Sequence, residues 1–101
     1  MSRTVDLVVV GFTPAGVDAA IAAARAGRRV LLVDRSRSAA LRRRVSRVLA
    51  AARPEVRALV SVWTGIEVVC VDGVRGTEAV VLRRHPTGGL VAVNAAEVIA
   101  A

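Results

Sequence analysis

Val5-Asp6-Leu7-Val8-Val9-Val10-Gly11-Phe12-Thr13-Pro14-Ala15-Gly16 opens a stretch of thirty residues that closes on Arg29-Val30-Leu31-Leu32-Val33-Asp34. Apart from Asp6, its first six residues are apolar and mostly β-branched, the mark of a strand buried on both faces. Gly11 follows at the point where the chain must turn sharply. Thr13-Pro14 reads as a helix start, because Thr can cap and Pro suits a first helical position whose N–H has no partner anyway. Val17, Ala20, Ile21 and Ala24 then fall at i, i+3, i+4 and i+7, which is one apolar helix face. Gly27 ends that helix, and Val30–Val33 forms a second buried strand that stops at a carboxylate. Strand, Gly turn, helix and strand make a βαβ unit with a parallel pair.

The rest of the chain is built outward from this unit. Arg35–Ser38 is expected as a loop and Ala39–Arg53 as an amphipathic helix. Its apolar stripe is Leu41, Val45, Val48, Leu49 and Ala52, and Arg42, Arg43, Arg44 and Arg47 lie mostly on the other side. Pro54 breaks it. Val56, Leu59, Val60 and Trp63 repeat a helical spacing, so a second short helix or turn is expected before Thr64-Gly65, with Trp63 anchoring the connection to the sheet. Ile66–Val71 reads as a strand, and Asp72-Gly73 and Arg75-Gly76 as turn pairs. Thr77–Arg84 alternates as a strand, Pro86–Gly89 as a turn, Leu90–Val93 as another strand and Ala96–Ala101 as a final apolar one. The chain is therefore read as one α/β domain: residues 5–34 the βαβ motif, 39–63 an Arg-rich helical segment, 66–101 strand, meander and final strand.

Composition narrows what such a domain can be. Its 101 residues suffice for a single core. That core is lean: 21 Val and 19 Ala stand against one Phe, one Trp and no Tyr. Large aromatic side chains bury the most area, so stability is expected to be marginal until a ligand or partner adds to it. Net charge is +7 and all 15 basic residues are Arg, eight of them between Arg35 and Arg57. A basic surface attracts anions. No aromatic or polar readout residues interleave with these Arg, so nucleic acid is not expected and a solvated helix face is the simpler reading; an acidic partner is the alternative. One cysteine, Cys70, excludes an internal disulfide and fits a reducing compartment, taken as the cytoplasm. Asp6, Pro14 and Asp18 interrupt the N-terminal apolar stretch, so it is read neither as a signal peptide nor as a membrane span.

The chemistry carried by the βαβ motif is nucleotide binding. Gly11 permits a turn that a Cβ would obstruct, and Gly16 permits close helix–strand approach. The N–H groups near Ala15 and Gly16, at the positive end of the helix, point toward a pyrophosphate. Asp34 ends the second strand 18 residues after Gly16, where a carboxylate can accept hydrogen bonds from ribose hydroxyls. The acid repels a 2′-phosphate, which disfavours NADP, although an Arg just after the strand, Arg35 or Arg37, can hold such a phosphate. Cys70, in a strand, is read as a buried inert thiol, and His85 as a solvated loop residue.

Taken together, these residues resemble a minimal nucleotide-binding half of the two-dinucleotide-binding flavoproteins: the thioredoxin-reductase-like and pyridine-nucleotide-disulfide oxidoreductases and their FAD-dependent relatives. Val8–Gly16 resembles their strand and Gly-x-Gly-x-x-Gly turn, and Asp34 their ribose-binding acid. Ile66–Val93 resembles their third parallel strand followed by a β-meander, and Val98–Ala101 the strand leading to an Ala-Thr-Gly motif. Thr13 stands at the second motif glycine, no Gly-Gly follows Asp34, and there is no Cys-x-x-Cys. The resemblance implies a Rossmann-like fold with a parallel sheet, flanking helices and an antiparallel meander. It implies FAD as cofactor, with Gly11, Thr13, Pro14, Ala15, Gly16, Asp34 and Arg35 as the contacting residues. It further implies a truncated product, split subunit or relic of a flavin-dependent oxidoreductase, catalytic only with further domains or a partner, and association with a protein partner or a second copy. Two other readings remain: an NAD(P)H-binding unit of such a reductase, and a non-catalytic interaction module that kept the fold.

Overall fold

The computed structural model describes residues 3–73, 78–84 and 88–100. In chain order the elements are β1 (Arg3–Val10), α1 (Pro14–Arg25), β2 (Val30–Asp34), α2 (Ala39–Ala50), α3 (Pro54–Arg57), β3 (Val60–Thr64), β4 (Ile66–Asp72), β5 (Glu78–Arg84) and β6 (Leu90–Ala100). They form one six-stranded sheet in the order β3-β2-β1-β6-β5-β4. β1 pairs in parallel with β2 and β6, and β2 with β3, while β5 runs antiparallel to both β6 and β4. This is the expected Rossmann-like α/β arrangement with an appended meander.

Alternation along the central strands fills both faces. Leu7, Val9 and Leu32 join Phe12, Val17, Ile21, Val45 and Leu49 in a core beneath the helices. Their neighbours Val8, Leu31 and Val33 point the other way, onto Ile66, Val80, Leu82 and Val93. Successive side chains of a strand face opposite sides, which is why β1 and β2 read as unbroken apolar runs. β3 and β4 are separated by Gly65 alone, yet they lie at opposite edges of the sheet. The sheet must therefore curl, and the meander comes to cover the face that the helices leave open. Gly65 makes the joint with φ +64, a conformation that disfavours any side chain.

Several local expectations change. Val60–Thr64 is a strand, not part of a helix, and α3 is a single turn, so the third parallel strand is β3 and not Ile66–Val71. The reason is burial: every residue of β3 is half-buried between the two faces, so its apolar residues show no alternation and mimic a helical spacing by chance. Trp63 accordingly sits within the sheet, packed against the meander-side core. Leu90–Val93 and Ala96–Ala101 are not two strands, since β6 runs unbroken through Asn94, whose side chain is solvated. α2 ends at Ala50, three residues before the expected Arg53, and Val48 of its stripe is 39% exposed. Cys70 is exposed rather than buried. A register shift between Val68 and Cys70 sets it opposite Val81, and the second half of this edge strand is exposed on both faces, Val69 and Val71 included. Arg75-Gly76, Thr77, His85, Pro86-Thr87 and Ala101 lie outside the described residues.

Candidate functional site

The candidate site lies along the ends of β1, β2 and β3 where the chain leaves the sheet, the usual ligand edge of a parallel α/β sheet. Gly11 has φ +118, which a side chain would resist. Its N–H donates to the Val33 carbonyl at 2.8 Å, fastening the turn to β2. The Phe12 N–H donates to Asp34 Oδ2 at 2.8 Å. Asp34 Oδ1 accepts the Ser36 N–H at 2.7 Å, the two-residues-on bond of an Asx turn. One carboxylate thus joins the β1–α1 turn to the β2–α2 loop. Each oxygen keeps a second lone pair for another donor.

Thr13 caps α1 with extended backbone, and its hydroxyl accepts the Gly16 N–H at 3.1 Å. Pro14 follows as the first helical residue. Of the N–H groups at this helix end, that of Gly16 is therefore engaged by the cap, and Pro14 has none. Those of Thr13 and Ala15 have no acceptor among the described residues. Two donors on exposed residues, at the positive end of a three-turn helix, suit an anionic group. Arg35 is exposed and makes no ion pair among the described residues. The structure thus brings Gly11, Thr13, Pro14, Ala15, Gly16 and Asp34 to one edge, with Arg35 beside them.

The crest extends to β3. The Gly65 N–H donates to the Ser36 carbonyl at 3.1 Å. Arg37 lies over Gly65 so closely that a Cβ there would meet its Nε at 3.1 Å. Arg37 and Arg42 then line an open polar pocket of about 350 Å³ with Thr64 and Gly65. Three residues in this assembly were not singled out by sequence. Phe12 is 4% exposed and roots the turn in the helix-side core, while Ser36 and Gly65 lock two loops together. Asp34-Arg35-Ser36 carried an Asx-turn signal that could have revealed the first of these links. No group of metal-ligating side chains occurs among the described residues.

The model of the family described as FAD dependent oxidoreductase matches residues 6–39, the βαβ unit with Asp34 inside it. No curated protein matches the sequence. Among solved structures, L-proline dehydrogenase from P.horikoshii is similar over 99% of this chain, with TM-score 0.72 and 16% identity. The fold is that of the FAD-dependent oxidoreductases. A flavin-dependent monooxygenase, PieE, solved in complex with FAD and substrate, is similar over 95% of this chain with TM-score 0.71 and 17% identity. A thioredoxin reductase from Gloeobacter violaceus is similar over 99% with TM-score 0.72 and 20% identity. The chain spans only 22%, 30% and 29% of those three proteins. The match is therefore to a part of each of those proteins and not to the whole. No helix among the described residues is long and apolar enough to cross a membrane.

Proposed function

We propose that the chain binds the adenosine-diphosphate half of FAD across the ends of β1 and β2, as the nucleotide-binding part of a flavin-dependent oxidoreductase. The observation that carries this reading is the pairing of Asp34 with the Gly11–Phe12 turn inside the segment that matches the FAD-dependent family. The residues present fit that half of the cofactor. Thr13 and Ala15 offer unengaged N–H donors to the pyrophosphate, the α1 N-terminus supplies positive potential, and Asp34 retains acceptor capacity for ribose hydroxyls.

When bound, FAD supplies the redox chemistry. What this chain's own residues do is bind and orient. The Asp34 bridge fixes the spacing between the pyrophosphate end and the ribose end of the site. Phe12, buried beneath the turn, keeps that spacing rigid. Substrate chemistry and any catalytic residues belong, on this reading, to further domains or to a partner.

The second reading, an NAD(P) unit, is favoured by one feature: Arg37 and Arg42 line the pocket at the β2–α2 loop, where a 2′-phosphate could be held. A thermal-shift series with FAD, NAD and NADP, preceded by a visible absorption spectrum of the purified protein, separates them. A yellow protein, or stabilisation by FAD alone, supports the flavin reading. Stabilisation by NADP alone supports the second, and no colour with no shift refutes both.

A further inference from the structure

Charge is distributed unevenly along this chain. Residues 35–57 hold eight Arg and one acid, Glu55, whereas the other residues hold seven of each and are neutral. The entire +7 therefore resides in residues 35–57, the β2–α2 loop through α3. All eight of these Arg are exposed. Elsewhere Arg28 meets Glu97 and Arg83 meets Glu67, each at 3.0 Å. In this segment the one ion pair among the described residues is Arg53–Glu55, at 3.8 Å.

The segment also carries an apolar feature. Val45 and Leu49 bury the inner face of α2, so Arg43 and Arg47, four apart, form an outward row. Arg44 and Val48, also four apart, flank α1. There a pocket of about 110 Å³ is lined by Phe12, Pro14, Val17, Asp18, Arg44, Val45 and Val48. It has room for one apolar side chain. A nucleic-acid backbone has no apolar group to place in it. A bilayer would need the apolar face of α2 free, and that face is spent on the core.

We propose that this face docks an acidic polypeptide segment carrying a hydrophobic anchor residue. The anchor fills the α1–α2 pocket, and carboxylates on either side of it pair with Arg43, Arg44 and Arg47. Arg suits this role because its planar fork takes a carboxylate in bidentate fashion. One apolar anchor in a pocket, ringed by charges, is also the usual energetic layout of such contacts. The proposal does not depend on the nucleotide reading.

Fluorescence anisotropy with the full chain tests it, using a labelled synthetic peptide in which one Leu is flanked by Glu and Asp. The Leu→Ala form of the peptide should bind at least about tenfold more weakly, as should Arg44→Glu/Arg47→Glu protein. Val48→Glu, at an exposed position, should do the same without changing the circular-dichroism melt. Equal binding of the Leu and Ala peptides overturns the anchor. Tighter binding of a DNA duplex, or of anionic vesicles, than of the Leu peptide overturns the choice of partner, and no peptide binding at low salt overturns the proposal altogether.

Discussion

Replacing Asp34 by Ala should destabilise the protein even when no nucleotide is present. The carboxylate accepts two backbone N–H groups, from Phe12 at 2.8 Å and Ser36 at 2.7 Å, in a partly buried setting. Net hydrogen bonds to charged groups contribute roughly 1.5–3 kcal/mol each. Ser36 lies in a loop where water can replace the lost acceptor, so the low end applies. The two bonds together then contribute about 3 kcal/mol, and a domain of this size loses roughly 4–8 °C of Tm per kcal/mol. Asp34→Ala should therefore melt roughly 12–24 °C below the parent by circular dichroism. Asp34→Asn makes the same charge change and keeps one acceptor oxygen, but its NH2 then faces the other N–H, so it should recover at most half of the loss. The Ala–Asn difference thus isolates the hydrogen bonds from the change in net charge. An Asp34→Ala melt within about 3 °C of the parent would refute the claim that this side chain holds the two loops together.

Other expectations follow from the same contacts. Thr13→Gly removes the hydroxyl cap, frees the Gly16 N–H and clears the second motif position. Its melt should fall by only a few degrees, since Gly caps within a few tenths of a kcal/mol of Thr, while FAD binding measured by fluorescence quenching should tighten. Gly11→Val places a β-branched residue at φ +118; it should cost at least about 1–3 kcal/mol in urea unfolding. Leu82→Ala empties a position that is 1% exposed between the meander and the sheet, and should cost about 2–5 kcal/mol in the same assay. Arg28→Ala breaks a solvent-exposed pair with Glu97 and should change stability by less than about 1 kcal/mol.

The βαβ unit was legible in the sequence because its local signals agree. Thr13-Pro14 suits a helix start, Gly27 takes φ +83 just past α1, and the apolar runs of β1 and β2 are too β-branched and too uniform for a surface element. The third strand was illegible because Val60 and Trp63 sit at helical spacing from Val56, and burial on both faces removes the alternation that would have marked a strand. β6 was divided because Asn94 looks like a turn residue, although on a strand it needs only a solvated face. Within the site, the residue types could be read but not their use. Which N–H groups stay free at the α1 end depends on whether Thr13 turns its hydroxyl onto Gly16. That the Phe12 N–H meets Asp34 depends on the register of β1 against β2. The second is settled by tertiary geometry, whereas the first is a local capping bond that the reading of Thr13 as a cap already implied. The exposed Cys70 was missed because β4 is an edge strand whose second half is uncovered on both faces, with Val69 and Val71 exposed beside it.

The central claim, that this edge of the sheet binds the adenosine-diphosphate half of FAD, is tested most directly by isothermal titration of FAD into the folded protein, repeated in the presence of ADP. Saturable one-site binding that ADP competes away is the expected result. Absence of binding by a protein whose circular-dichroism melt shows it folded, or binding that ADP leaves unchanged, would contradict it.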